Sequence, residues 1–95
     1  MQILPRSWGK ATGEAQKEFS VDWDDLRVFL AVARTESLSA AARRLKIDPA
    51  TVGRRVARLE EATKARLFSK SPQGYALTEE GARLIPHAET AERAA

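Results

Sequence analysis

Apolar residues recur with helical spacing in the first half of the chain. One set stands at i, i+3, i+4 and i+7, the spacing of a single helical face: Leu26, Phe29, Leu30 and Ala33. This set predicts a first helix from about Asp24 to Thr35. A second helix is predicted over Ala40 to Lys46, because this run consists of strong helix formers and follows Ser39, a good N-cap residue.

A third helix is predicted to begin directly after a tight turn. Asp48 is an N-cap residue type and Pro49 suits the first helical position, so this helix runs from there to about Thr63. Two helices joined by so short a turn cross at a steep angle, which is the helix-turn-helix arrangement. The apolar residues of the third helix share one side: Val52, Val56 and Leu59. Its long polar residues occupy a separate arc: Thr51, Arg54, Arg55 and Arg58.

A small β-hairpin and a last helix follow. The strand candidates 66–69 and 75–77 flank Ser71–Gly74, whose Ser, Pro and Gly positions suit a type I turn. Thr78 is predicted to cap the last helix, and Pro86 is predicted to interrupt and kink it. The apolar residues of this helix recur at steps of four and three: Leu84, Ala88, Ala91 and Ala95. This stripe either packs on its own domain or pairs with a second subunit.

The composition fits one small globular domain and excludes several classes of protein. Of the 95 residues, 43% are apolar and 31% are charged, which is typical of neither fibrous nor disordered chains. The absence of Cys and the single histidine, His87, exclude disulfides, thiolate metal sites and most histidine-based catalytic pairs. We therefore expect no cofactor, no metal and no enzyme activity. The longest apolar run, Val28–Ala33, is too short to cross a bilayer, so a cytoplasmic protein without membrane contact is expected.

Positive charge is concentrated in one part of the chain. Residues 43–70 hold nine basic and three acidic side chains, a local balance of +6, whereas the whole chain carries +3 and the remainder therefore −3. The positive part coincides with the predicted helix-turn-helix and hairpin. Because Lys and Arg displace the counterions condensed on phosphates, this pattern points to DNA. Read from charge alone, the same residues also fit an ordinary solvated helix face.

Three segments together resemble the LysR-type transcriptional regulators. They are LRVFLAVARTESLSAAARRLKI, TVGRRVARLEEATKARLF and GYALTEEG, and the resemblance extends from Leu26 to Ala88. It implies a mainly helical, three-helix winged helix-turn-helix domain with a β-hairpin wing, over residues 21–78. It further implies that residues 79–95 form a linker helix that pairs two subunits into a homodimer. Residues 1–20 contain Pro5, Gly9 and Gly13 and show no apolar period, so a flexible extension is expected there, unless the natural chain starts at Val21.

The resemblance also implies which residues meet double-stranded DNA. The positions concerned are Pro49, Ala50, Thr51, Gly53, Arg54, Arg55, Arg58 and Lys70. In this interpretation the third helix enters the major groove, and Arg54 donates two hydrogen bonds to guanine O6 and N7. Arg55 and Arg58 contact phosphates, which position a protein without reading sequence. Thr51 contacts a phosphate or a thymine methyl group, and Lys70 lies at the wing tip near the minor groove.

Some positions depart from the family pattern. Gly53 and Asp48 stand where the family commonly has Ser, and Lys64 stands where it often has a helix-ending Gly. The chain also lacks the effector-sensing domain that normally follows, so no small-molecule effector site is expected in it. The protein is then either a natural single-domain regulator or a truncated product. A second hypothesis is an interaction protein that heterodimerises with full-length relatives through the linker helix.

Overall fold

The computed structural model describes residues 21–94, which form four helices and a two-stranded hairpin. In chain order these are α1 (Trp23–Thr35), α2 (Leu38–Leu45), α3 (Pro49–Thr63), β1 (Phe68–Ser71), β2 (Gly74–Leu77) and α4 (Glu79–Ala94). The predicted three-helix winged helix-turn-helix fold with its C-terminal helix is confirmed. The extension predicted for residues 1–20 lies outside the described residues, as does Ala95.

Helix α1 forms the centre of the core. Its fully enclosed side chains include Val28, Phe29, Leu30 and Val32. The other three helices all pack against it, and the small residues Ala41 and Ala42 let α2 approach closely. The ring of Phe68 lies 5.4 Å from that of Phe29, which ties the start of the hairpin to the same core. Burying these apolar side chains is the main force that holds short helices together.

Side-chain caps mark the starts of both helices of the helix-turn-helix. Ser37 caps α2, since its hydroxyl accepts a hydrogen bond from the Ala40 backbone N–H at 3.1 Å, so the prediction of Ser39 as the cap is wrong by two residues. Ser37 has the extended backbone that a cap requires, whereas Ser39 already lies in the first turn. The predicted start of α3 is confirmed, with the Asp48 carboxylate accepting from Ala50 N–H at 3.0 Å.

The hairpin begins two residues later than predicted because its approach is held by other partners. The N–H of Leu67 donates to the side chain of Glu60 and so does not pair with the opposite strand, although the carbonyl of Leu67 still accepts from Thr78 N–H across the hairpin. The antiparallel register then pairs Phe68 with Leu77 and Ser71 with Gly74, which leaves a two-residue turn.

Helix α4 is capped by Thr78, whose hydroxyl accepts from Gly81 N–H at 3.0 Å, as predicted. It continues through Pro86 as far as Ala94, so the predicted interruption is wrong. Proline removes one backbone donor from a helix. Here Leu84 and Ala88, on either side of it, are both buried, which keeps the two halves of the helix docked on the domain. The predicted stripe therefore packs, at these two positions, on its own domain.

Candidate nucleic-acid interface

Helix α3 presents a polar arc to solvent because its opposite side is anchored in the core. Val52 and Leu59 are fully buried, and Val56 nearly so. The predicted contact residues fall on the other side of the helix. Those that are exposed are Pro49, Ala50, Arg54 and Arg58, and those that are half-buried are Thr51, Gly53 and Arg55. The arc predicted from 100° spacing is thus present in the folded domain.

Arg54 is the α3 arginine with the least intramolecular engagement. One terminal nitrogen donates to the Thr51 hydroxyl at 3.0 Å, and no carboxylate in the described part of the chain pairs with it. The remaining guanidinium N–H groups face solvent. A planar guanidinium in this state can donate two parallel hydrogen bonds to a guanine edge or a phosphate.

Arg55 and Arg58 are instead paired with acidic residues of α1 and its N-cap. Arg58 donates to Asp25 from Nε at 2.9 Å and from a terminal nitrogen at 3.1 Å, and that nitrogen also lies 3.1 Å from an Asp22 oxygen. The hydrogen bonds to Asp25 raise the pKa of Arg58 above its ordinary value. Arg55 lies 3.3 Å from Asp25 and 4.0 Å from Asp24. Sequence reasoning assigned these arginines to phosphates and did not anticipate their carboxylate partners.

The wing lies beside α3 and shares a groove with it. A groove of about 250 Å³ is lined by residues of both elements, among them Gly53, Ala57, Arg66 and Lys70. Lys70 is exposed in β1 opposite Tyr75, with its Nζ 6.0 Å from the ring centroid. It therefore stands one residue before the end of the strand, whereas Pro72 and Gln73 form the tip itself.

Hydrogen bonds to two different helices hold the wing. The Glu60 carboxylate, on α3, accepts hydrogen bonds from the N–H groups of Leu67 at 2.8 Å and Phe68 at 3.3 Å. On the other strand, Tyr75 N–H donates to the carbonyl of Glu36, the C-cap of α1, at 3.0 Å. The wing is thus connected both to α3 and to the end of α1.

Further cations lie around this surface that the sequence-based site did not include. They are exposed and carry no ion pair within residues 21–94: Arg43, Arg44, Lys46, Lys64 and Arg66. Lys64 and Arg66 line an open groove of about 890 Å³ along the outer side of α3, together with Arg54. The first helix of a helix-turn-helix crosses the DNA backbone. Arg43 and Arg44, in the last turn of α2, were therefore a sequence signal for phosphate contacts that the sequence-based site left out.

The three departures from the family pattern are accommodated in the fold. A Cβ on Gly53 would meet only Leu38 Cδ1 at 3.7 Å, so this position is open. Asp48 is used as the α3 cap, and Lys64 ends α3 in the left-handed conformation, with φ at 57°.

Among residues 21–94 no group of three or more His, Asp or Glu side chains is arranged to hold a metal ion. None of the described helices has the length and apolar character needed to span a membrane.

Comparison with known proteins places this architecture in a family. The sequence profile of the bacterial regulatory helix-turn-helix protein, lysR family, matches residues 23–82. An uncharacterized HTH-type transcriptional regulator of Azotobacter vinelandii is 40% identical over 72% of this chain, and the regulator DmlR of Escherichia coli is 38% identical over 70%. The matched region spans 47% and 22% of those relatives, respectively.

Solved structures give the same result. Corynebacterium glutamicum OxyR, as an H2O2-bound C206S mutant, superposes with a TM-score of 0.75 at 25% identity, covering 77% of this chain and 23% of that one. The BenM DNA-binding domain in complex with catB site 1 DNA superposes with a TM-score of 0.72 at 26% identity, covering 76% of this chain and 81% of that one. The chain therefore belongs to the LysR family of bacterial regulatory helix-turn-helix proteins.

Proposed function

We propose that this domain binds double-stranded DNA sequence-specifically and regulates transcription. The observation that carries the proposal is the outer arc of α3, where Arg54 has no ion pair among residues 21–94 and stands on a helix that is anchored in the core and flanked by the wing. The BenM neighbour is the structure of a DNA complex, which supports the same role for this surface. The curated relatives are transcriptional regulators, so regulation rather than catalysis is the proposed activity. Prokaryotic DNA lies in the cytoplasm, and we propose that location.

The proposed contacts follow the geometry of the surface. Arg54 reads guanine in the major groove, and the neighbouring α3 positions meet base edges or the adjacent backbone: Pro49, Ala50, Thr51 and Gly53. Arg55 and Arg58 contact phosphates with the N–H groups that Asp25 leaves free. Lys70 extends from the wing toward the adjacent minor groove.

A homodimer paired through α4 is part of the proposal. Leu84 and Ala88 already lie in the core of their own domain, so pairing has to use the other side of α4. Exposed apolar side chains on that helix include Ala82 and Pro86. A dimer presents two recognition helices about 34–36 Å apart, or a multiple of that distance, and selects a palindromic site. Sedimentation of the protein, alone and with a selected duplex, measures this directly.

Selection of bound sites from random DNA, followed by affinity measurements on single-base variants, tests the reading helix. Arg54→Ala should lose on the order of 1–3 kcal/mol and relax selectivity at one base position. Arg58→Ala should weaken the selected site and its single-base variants to a similar extent, because phosphates carry no base information. If both variants weaken every sequence equally, Arg54 does not read a base. If no sequence is enriched from the random pool, the proposed function itself fails.

A further inference from the structure

Asp25 is a buried carboxylate held by two arginines of the recognition helix. Its side chain is only 3% exposed, in the first turn of α1, where an unpaired carboxylate would be strongly disfavoured. Arg58 makes a two-point contact with it, through Nε and a terminal nitrogen, and Arg55 adds a third nitrogen at 3.3 Å. The partners of this carboxylate therefore come from the face of α3 proposed to meet DNA.

The acidic residues around Asp25 outnumber the arginines they hold. Asp22 lies 3.1 Å from Arg58 and Asp24 lies 4.0 Å from Arg55, so three carboxylates face two guanidiniums. This part of the arc carries no net positive charge, whereas Arg54 beside it has no ion pair within residues 21–94 and contacts only the Thr51 hydroxyl. The arc thus consists of one arginine without a carboxylate partner in this region and two arginines that carboxylates hold.

We propose that Asp25 is a positioning residue for DNA recognition. It holds Arg55 and Arg58 in place and, by pairing with them, weakens their attraction to the phosphates of DNA of unrelated sequence. The inference rests on the proposed DNA binding and extends it. Arg58 is 57% exposed and keeps N–H groups that Asp25 does not use, so a phosphate at the right position can bind it. A phosphate elsewhere has to break the two-point contact first. Asp25 therefore raises the ratio of specific to non-specific affinity.

Asp25→Asn tests this proposal, because the amide keeps the size of the side chain and removes its charge. Affinity is measured for the selected duplex and for a scrambled duplex of equal length at several salt concentrations. The specific-to-non-specific ratio should fall by roughly three- to tenfold, the size of one coupling between contacting side chains. On the scrambled duplex, the log–log salt slope should steepen by about one for each arginine freed to bind phosphate. A folded variant with unchanged ratio and slope would show that Asp25 is purely structural.

Asp22→Asn keeps the test decisive if Asp25→Asn does not fold. Asp22 is exposed, contacts Arg58, and makes no side-chain cap hydrogen bond, so its replacement leaves the fold intact. The ratio and slope should shift in the same direction by a smaller amount, and no shift would count against the proposal. Glu80→Gln is the matched charge control, since Glu80 is exposed in α4 without an ion pair in the described region, and it should leave the ratio unchanged.

A second set of variants shows whether Asp25 acts through the arginines. In a chain carrying Asp25→Asn, which leaves no buried carboxylate unpaired, adding Arg55→Ala and Arg58→Ala should remove the steepening of the salt slope on the scrambled duplex. A slope that stays steep in that chain would overturn the proposed route. A wild type that selects sites while Asp25→Asn selects them equally well refutes the role of Asp25 alone. A wild type without any preferred site refutes DNA recognition and this inference together.

Discussion

At the scale of single residues, two glycines of the described region differ in the space that a side chain would find beside them. Gly53 lies within α3, where a Cβ would have ordinary contact with Leu38 and no clash. Gly81 lies in α4 where that helix meets the hairpin, and a Cβ there would overlap the Leu67 carbonyl and the Leu77 side chain. The fold therefore needs a glycine at position 81 and does not need one at position 53.

Gly53→Ala should stabilise the domain. Replacing glycine by alanine within a helix adds about 0.5–1 kcal/mol when no clash results, because glycine loses more backbone entropy on folding. The free energy of unfolding from urea titration measures the gain. Gly81→Ala is the matched control and should be destabilising by about 1–3 kcal/mol, since the hairpin has to move. A loss of stability in Gly53→Ala would mean that position 53 is more crowded than its contacts indicate.

At the scale of elements, charged side chains connect α3 to the hairpin and α1 to α4 outside the apolar core. Glu60 ties α3 to the entry of the hairpin, and a two-stranded hairpin is marginal without such support. Arg34, near the end of α1, ties that helix to the last turns of α4 through two 2.9 Å hydrogen bonds to Glu92. These contacts set where the wing and the C-terminal helix stand.

Glu60→Gln should loosen the wing. The amide is a weaker acceptor for the Leu67 and Phe68 N–H groups, and losing the charge-assisted part of such bonds costs about 1–2 kcal/mol. Hydrogen exchange of those two amides should become faster, and the unfolding midpoint should fall. Glu61→Gln is the neighbouring control, because Glu61 is exposed and its carboxylate accepts no hydrogen bond within the described residues. Equal effects of the two substitutions would argue against the anchor.

The Arg34–Glu92 pair should make the docking of α4 depend on pH. Hydrogen bonding and the charge of Arg34 lower the pKa of Glu92 in the folded chain. The stabilisation is therefore present at neutral pH, above the unfolded pKa of glutamate near 4.3, and is lost as the pH falls through the lower folded value. The melting temperature of Glu92→Gln should lie slightly below wild type at pH 7, and the difference should shrink on acidification. In an Arg34→Gln background the difference should be absent at every pH, and its persistence there would exclude Arg34 as the cause.

At the scale of the whole molecule, charge separates into a basic surface and an acidic remainder. Pairing within the fold weakens this division, because Arg55 and Arg58 are matched by carboxylates whereas Arg54, Arg66 and Lys70 carry no ion pair among residues 21–94. The cations that can release counterions from DNA are therefore fewer than the sequence count of basic residues.

Lys70→Gln should reduce the salt dependence of DNA binding without changing its sequence preference. A phosphate contact contributes about 0.9 to the log–log salt slope on duplex DNA, so the slope should become shallower by about that amount. Affinity for the selected and scrambled duplexes, measured over a range of salt concentrations, checks both parts. Arg93→Gln, at an exposed position near the end of α4, is the control and should leave the slope close to that of wild type. A change in base preference would mean that Lys70 reads sequence.

The elements and their order follow from sequence patterns. Helical spacing predicted α1 and α3, Asp48 and Pro49 marked the start of α3, and the strand candidates with their turn residues predicted the hairpin. These features are local, because caps, turns and one-face periodicity act over a few residues. The same local signals failed at Ser39 and Pro86, where a competing cap and the burial of neighbouring side chains decided the outcome.

Which cations carry an ion pair among the described residues, and which surface of α4 is buried, depend on how the elements pack together. Asp25 lies 33 residues before Arg58 in the chain, and no spacing rule indicates that a carboxylate of α1 meets an arginine of α3. The anchoring of the wing by Glu60 and the burial of Leu84 and Ala88 likewise depend on how helices pack. Sequence patterns record which face of an element is apolar, whereas the partners of a charged side chain are fixed by distances that exist only after the elements assemble.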